Sequence, residues 1–407
     1  VTAPRGGALP GPTGTRPRAT GPVPAAGHRC PADADVPVPD LPPQGALRLT
    51  DVLGACVAAL DPDLPGARDA AREALAIEPA EQVLVLLVDG LGWVPLEARL
   101  GHAPVLRAHR EATTVVHTVA PSTTAAAITA FATGRLPGAT RMVGYSVFAE
   151  GGTMNLLAFA EGVDPVLWQP CDTTFEVLAR AGVTSAVVSP SAFAGSGLTR
   201  AALRGARHVG ATGWEQRIRA ALRELRAGTR VVYLYWSDID HTGHHHGVGS
   251  EEWTAALEEF DAGLRLLLAG LPRGVRAVLT ADHGMVDTSP DQLIDLAEHP
   301  ELDEGLAGIG GEARCVHVHA REGAAAGVLE RWRDVLAERA WVWGPEDMAE
   351  VLGQGPGSAV VGDALVFMRG HRGIVDSRVQ SAGSISQVGI HGSLTSDEML
   401  VPVMRLA

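Results

Sequence analysis

Four segments of the sequence share one format: a continuous apolar or β-branched run followed at once by polar residues. They are QVLVLLVDG (82–90), TTVVHTVAPSTT (113–124), RVVYLYWSDIDHTGH (230–244) and RAVLTADHG (276–284). Successive side chains of a strand point to opposite faces, so a half-exposed strand alternates apolar and polar residues. An unbroken run instead predicts a strand buried on both faces, as in a parallel sheet covered by helices. The stretches between the runs supply the helices. In 253–268, Trp253, Leu257, Phe260, Leu264 and Leu267 fall on one helical face, and TFEVLARAG and WEQRIRAALRELRAG read in the same way. Strands alternating with helices predict an α/β fold, a doubly wound, mostly parallel sheet with helices on both faces. Ligands of such sheets bind beyond the carboxyl ends of the strands. Asp89, Thr124, Asp240 and Asp282 fall there.

Composition sets outer bounds. The chain has 407 residues, 46% hydrophobic and 20% charged, which suits a globular protein with a sizeable core. Lys and Arg total 33 against 47 Asp and Glu, a formal net charge of −14. Nucleic-acid binding is not expected of so acidic a chain, because phosphate backbones need clustered positive charge. Bound cations would have to reverse the field for an anionic ligand to approach. Cys30, Cys56, Cys171 and Cys315 are scattered, without a CxxC pair, and read as free thiols. No apolar run is long enough to span a bilayer, and no apolar h-region follows a charged start. The expectation is a cytoplasmic protein with no membrane attachment. Residues 1–44, rich in Pro, Gly, Ala and Thr, read as a disordered leader ahead of one domain over 45–407. Insertion or cap segments are expected around 140–230, which holds another βα unit (AGVTSAVVSPSAF) plus loops, and around 290–380. The latter holds EARCVHVHA, a helix-like AAGVLERWRDVLAERA and a WVW strand, in the manner of a small α+β insertion.

The polar ends of the runs carry the chemistry. ADHG puts Asp282 and His283 side by side after a strand. DIDHTGHHHG holds Asp240 and His244 at DxxGH spacing, where a Gly turn would bring both to one ion. Asp89 is followed by Gly90, which permits a sharp turn, and IHGS places His391 between glycine-containing turns. Singly, such an Asp reads as a helix N-cap and such a His as a hydrogen-bonded surface or core group. Their joint placement at strand ends points to metal. Mixed carboxylate and imidazole donors suit Zn²⁺ first, with Mn²⁺ or Fe²⁺ as alternatives. In APSTTAAAITAFATGRLPG, the hydroxyls of Ser122, Thr123 and Thr124 stand where a strand gives way to a small-residue helix. Free N–H groups and partial positive charge at a helix start favour an alkoxide and a phosphoryl oxygen.

The order DG, a Thr/Ser helix ending in TG, DxxGH, DHG and HG resembles the alkaline phosphatase superfamily, and more nearly its nucleotide pyrophosphatase/phosphodiesterase branch. The resemblance runs from about Val83 to Val403. In that family the nucleophilic Thr or Ser lies nine positions before the Thr of the TG pair, here Thr133, which selects Thr124. The resemblance implies two divalent metal ions, one held by Asp240, His244 and His391, the other by Asp89, Asp282, His283 and the Thr124 oxygen. It also implies a covalent phospho-threonine intermediate on a small anionic phosphate-ester substrate, nucleotide-like, cleaved at a phosphodiester or pyrophosphate bond. Two positions depart from the pattern. The family's TxPN-like motif has Asn where this chain has Ala127, and Thr140-Arg141 replaces the usual His-Gly after the LPG turn. Phosphomonoesterase and phosphonate hydrolase activities on the same metals remain open, as does a catalytically inactive ligand-binding relative. A sulfatase is disfavoured, since no CxPxR or SxPxR sequence is present.

Overall fold

A computed structural model describes residues 38–149 and 152–407. Its two larger sheets use, in chain order, β1 (Gln82–Val88), β2 (Thr113–His117), β3 (Ser185–Ser189), β4 (Arg207–Gly210), β5 (Val231–Trp236), β6 (Val275–Thr280), β7 (Leu306–Glu312), β8 (Cys315–Ala320), β9 (Ala340–Trp343), β10 (Ala364–Met368) and β11 (Leu400–Arg405). The central sheet has seven strands in the order β2-β11-β6-β1-β5-β3-β4. Its pairings are parallel except at β11, which runs antiparallel to both β2 and β6. Every residue of Val83–Val88 and Val231–Trp236 is buried, so both faces of the sheet are covered. The cover includes α1 (Leu49–Leu60), α2 (Thr124–Thr133), α3 (Trp214–Arg226) and α5 (Glu251–Gly270), with α4 (Asp238–His246) between the last two. Trp253, Leu257, Phe260, Leu264 and Leu267 of α5 are fully buried, the face that the spacing predicted.

The fold is therefore the α/β, mostly parallel architecture expected, with three differences in detail. β2 was expected to be buried on both faces, but it is an edge strand, its residues mostly half-buried or exposed. Second, β11 inserts beside β6, a position that the four runs gave no sign of. Third, β3, the strand of the βα unit read from AGVTSAVVSPSAF, belongs with β4 to the central sheet and not to a cap; among the described residues of 140–230, Ser146–Ala149 and Gly152–Asn155 pair as a separate two-stranded sheet. Residues 290–380 do contain a separate α+β unit, the antiparallel sheet β7-β8-β10-β9 with a helix over Ala325–Leu336 and its own buried cluster. Of the expected leader, residues 1–37 lie outside the described residues. Asp40 donates its N–H to the Leu394 carbonyl at 2.8 Å and its carboxylate meets His117 Nε2 at 2.9 Å, so the segment just before residue 44 packs on the body. No helix among the described residues is long and apolar enough to cross a membrane.

Candidate metal centre and active site

Three adjacent parallel strands, β6, β1 and β5, end side by side and present their following residues at one rim. β1 leads into Asp89, β5 into α4 with Asp240 and His244, and β6 into Asp282 and His283. Gly90 turns the chain away at φ +70°, a conformation costly for side-chain-bearing residues, and its N–H donates to Asp282 Oδ1 at 3.1 Å. DxxGH does not form the expected Gly turn. It is helical, and Asp240 and His244 meet one turn apart, Oδ2 to Nε2 at 2.6 Å. Gly243 is needed there for space, since a Cβ would lie 2.6 Å from Met285 Sδ.

His391 follows the short strand Gly389–Ile390, which pairs with Val286–Asp287 just after ADHG. The two loops are pressed together: Gly284 donates to the Glu398 carbonyl at 2.9 Å, and a Cβ on Gly284 would lie 1.9 Å from the Asp397 carbonyl oxygen. Beneath them Arg314 and Glu398 form a fully buried bidentate pair, at 3.1 and 2.7 Å. Glu398 also accepts from the Ser393 N–H at 2.9 Å and the Thr395 hydroxyl at 2.6 Å. The pair thus fastens the His391 loop to the start of β8.

The ligand atoms of Asp240, His244 and His391 lie within 4.8 Å of one another, as do those of Asp89, Asp240 and His283. Asp282 stands beside the second group, its Oδ2 3.7 Å from His283 Nε2, while Asp89 Oδ1 is 3.4 Å from the same nitrogen. Tyr235 donates its phenol to Asp89, and Thr118 donates its hydroxyl to the Asp282 carbonyl. Neither residue was singled out from the sequence, because Tyr235 sits inside an apolar run and Thr118 precedes its partner by 164 positions. Burial drives Asp89 well above the usual carboxylate range, with Asp282 and Asp240 adding like-charge repulsion. Asp240 and Asp282 are each pushed up to about 7, burial being the first cause. His244 and His391 are held well below the ordinary imidazole value by burial and then by His283.

Asp89 Oδ1, Asp240 Oδ1, His244 Nδ1, Asp282 Oδ2 and His391 Nδ1 are buried without a hydrogen-bond partner. Buried carboxylates converging on unpaired imidazoles are costly unless a cation sits among them. The donor set fits a divalent transition metal.

Thr124 is the first residue of α2, half-buried, with its hydroxyl 3.1 Å from His283 Nε2. The neighbouring hydroxyls are engaged elsewhere: Ser122 donates to the Ser393 carbonyl at 2.7 Å, and Thr123 meets the Glu312 carboxyl. Ala127 is fully buried inside α2. Arg141, at φ +62°, lies over the Trp168 ring with Cζ 4.2 Å from its centroid.

A sequence profile of the type I phosphodiesterase/nucleotide pyrophosphatase family matches residues 83–371, more than half of the chain. The chain belongs to that family. Among curated proteins, it is 32% identical over 75 residues to ectonucleotide pyrophosphatase/phosphodiesterase family member 5 of Homo sapiens, 17% of this chain and 16% of that protein. It is 36% identical over 69 residues to bis(5'-adenosyl)-triphosphatase ENPP4 of Bos taurus, 16% of this chain and 15% of that protein. Each match thus spans about one sixth of the relative. Murine ectonucleotide pyrophosphatase/phosphodiesterase 5, in an inactive form in complex with AMP, superposes with a TM-score of 0.63 at 16% identity, covering 79% of this chain and 87% of that one. Phosphonoacetate hydrolase of Sinorhizobium meliloti 1021, in complex with phosphonoacetate, gives 0.65 at 20% identity, covering 80% and 89%. These likenesses show the shared fold over about four fifths of the chain. This member of the family carries a buried Asp/His metal-site candidate at the rim of its central sheet.

Proposed function

We propose that the protein hydrolyses phosphodiester or pyrophosphate bonds of a small nucleotide-like substrate, with Thr124 as nucleophile. The observation that carries the reading is the Thr124 hydroxyl at 3.1 Å from His283, at the start of α2 and beside the unpaired carboxylates. Ser122 and Thr123 have other partners, which favours Thr124 among the three. The activities named for the relatives, pyrophosphatase, phosphodiesterase and adenosyl-triphosphatase, point to the same substrate class.

Asp240, His244 and His391 would hold one divalent ion; Asp89, Asp282, His283 and the Thr124 oxygen would hold a second, Zn²⁺ by preference and Mn²⁺ or Fe²⁺ otherwise. Two such ions would lower the pKa of a bound hydroxyl and neutralise phosphoryl charge. The chain's own part follows from its geometry. The Thr124 hydroxyl gives up its proton and its oxygen forms a bond to phosphorus as the bond to the leaving oxygen breaks. The leaving oxygen gains a proton. Free N–H groups of the first turn of α2 face the oxygens of the transferred group. Water then attacks the phospho-threonine, releasing the phosphate product and restoring the hydroxyl.

The test is turnover of bis-p-nitrophenyl phosphate, p-nitrophenyl phosphate and phosphonoacetate by the Zn²⁺- or Mn²⁺-loaded protein and its variants. Thr124→Ala should lose at least about 1,000-fold in kcat with its metal content and melting temperature unchanged. Thr124→Ser should stay active, and Thr123→Ala should lose far less. Mass spectrometry of a quenched reaction should find the adduct on the peptide containing Thr124. Full activity in Thr124→Ala would remove the nucleophile. Turnover of phosphonoacetate alone would establish the phosphonate reading instead, and turnover of nothing an inactive ligand-binding relative.

A further inference from the structure

α4 repeats one spacing on two faces. Asp240 and His244, four residues apart, belong to the candidate centre and are buried. His241 and His245, each one residue further on, are rotated by about 100° and exposed. Side chains four residues apart are neighbours on a helix surface, and the two imidazole rings meet accordingly, with centroids 4.6 Å apart. His245 Nδ1 lies 2.9 Å from the His241 carbonyl oxygen. A carbonyl only accepts, so Nδ1 carries the proton and Nε2 of the neutral ring keeps its lone pair. Metal-ligating imidazoles are commonly held in this way, by an acceptor on the nitrogen that does not bind the ion.

The two histidines line an open groove of about 530 Å³ between α4 and α5. α5 contributes Glu252 and Glu259, with the small side chains of Ala255 and Ala256 leaving the space between the helices. His246, also in the groove, has its Nδ1 3.9 Å from Glu252 Oε1. Imidazoles from one helix and carboxylates from the next thus share one cavity, in a chain of net charge −14. Such a field gathers cations. Rings centred 4.6 Å apart can share one ion lying about 2.0–2.1 Å from a nitrogen of each. Imidazole donors suit Cu²⁺, Ni²⁺ and Zn²⁺, whereas Mg²⁺ and Ca²⁺ call for oxygen.

We propose that His241 and His245 form a metal site separate from the buried centre, binding one divalent transition-metal ion on the exposed face of α4. Water and a carboxylate of α5 complete its coordination. With two imidazole ligands open to solvent, it holds its ion more weakly than the buried centre does, and by the usual order of affinities it takes Cu²⁺ most readily. It stands apart from the phosphate-ester reading, since neither histidine is among the ligands assigned above.

The experiment uses the full chain, loaded with Zn²⁺, freed of loosely held ion by gel filtration and then titrated with Cu²⁺. Uptake is followed by calorimetry, ligation by electron paramagnetic resonance, and retained Zn²⁺ by elemental analysis. Wild type should take up one Cu²⁺ without releasing Zn²⁺, its spectrum showing coupling to two imidazole nitrogens. His241→Ala and His245→Ala should each weaken that uptake by at least about tenfold, reduce the coupling to one nitrogen, and keep their Zn²⁺. His102→Ala removes an exposed histidine that pairs with Glu258 and has no imidazole one helical turn away; it should change nothing. Loss of Zn²⁺ from either α4 variant would make the pair part of the buried centre and overturn the separate site. Unaltered uptake in both variants, an equal loss in His102→Ala, or a wild-type spectrum without imidazole coupling would overturn it as well.

Discussion

At the scale of single residues, Arg314 and Glu398 show how a charge pair far from the reacting atoms governs them. Both are fully buried, 84 positions apart in sequence. Glu398 holds the Ser393 N–H and the Thr395 hydroxyl, which shape the loop that starts at His391. Removing one partner leaves a buried charge uncompensated. Arg314→Leu should therefore cost about 3–5 kcal/mol in chemical denaturation, and the double variant Arg314→Leu/Glu398→Leu should cost clearly less. Both should lower the metal content seen by elemental analysis, because His391 loses its support. Equal stability of Arg314→Leu and wild type would show the pair to be dispensable. Pairs of this kind leave no trace in a sequence: neither residue sits in a periodic run. Asp89, Asp282 and His283 are legible because an unbroken apolar run ends at each, so the fold class itself says that they share a rim. Glu312 lies in LAGIGGE, whose glycines give no alternation to read.

The elements repeat that lesson in their own terms. β1, β5 and β6 are legible as buried strands because continuous Val and Leu runs suit only a site covered on both faces. α4 was misread as a turn, since the glycine of DxxGH is there to admit Met285 and not to bend the chain. β11 escaped notice because LVPVMR carries Pro402, and proline in a run reads as edge or loop. The structure accommodates it: pairing with β6 covers only Val403–Arg405, so Pro402 lies beyond that ladder. The difference between centre and edge is measurable. Leu86→Ala, in the fully buried β1, should lose about 2–5 kcal/mol. Val115→Ala, 38% exposed in β2, should change stability by less than about 0.5 kcal/mol in the same urea titration. Comparable losses at the two positions would contradict the sheet order described.

For the whole molecule, the metal centre makes stability depend on pH in opposite senses with and without ions. Asp240 and Asp282, at about 7 in the folded metal-free chain, stand above the ordinary carboxylate value of 3.8. At these carboxylates, and at Asp89, the folded chain then binds more protons than the unfolded one between about pH 4 and 7. Their contribution to stability falls as pH rises through that window, while His244 and His391, held low, partly offset it. Cations replace those protons. The melting temperature of chelator-treated protein should fall from pH 5 to pH 8, and the rise on adding Zn²⁺ should be larger at pH 8 than at pH 5. A Zn²⁺-induced rise that shrinks towards alkaline pH would refute the assignment of these carboxylates to the ions. The closing of the sheet has another consequence, for the growing chain on the ribosome. β2 is made early, yet its strand partner is β11, and β11 also fills the flank of β6. During the synthesis of nearly three hundred intervening residues, at about 5–20 per second, both ladders stay open. His391 emerges only just ahead of the strand that closes them. Assembly of the sheet and of the Asp240–His244–His391 cluster is thus confined to the moments after residue 405 has left the exit tunnel, and until then the nascent chain offers two bare strand edges to whatever chaperone attends it.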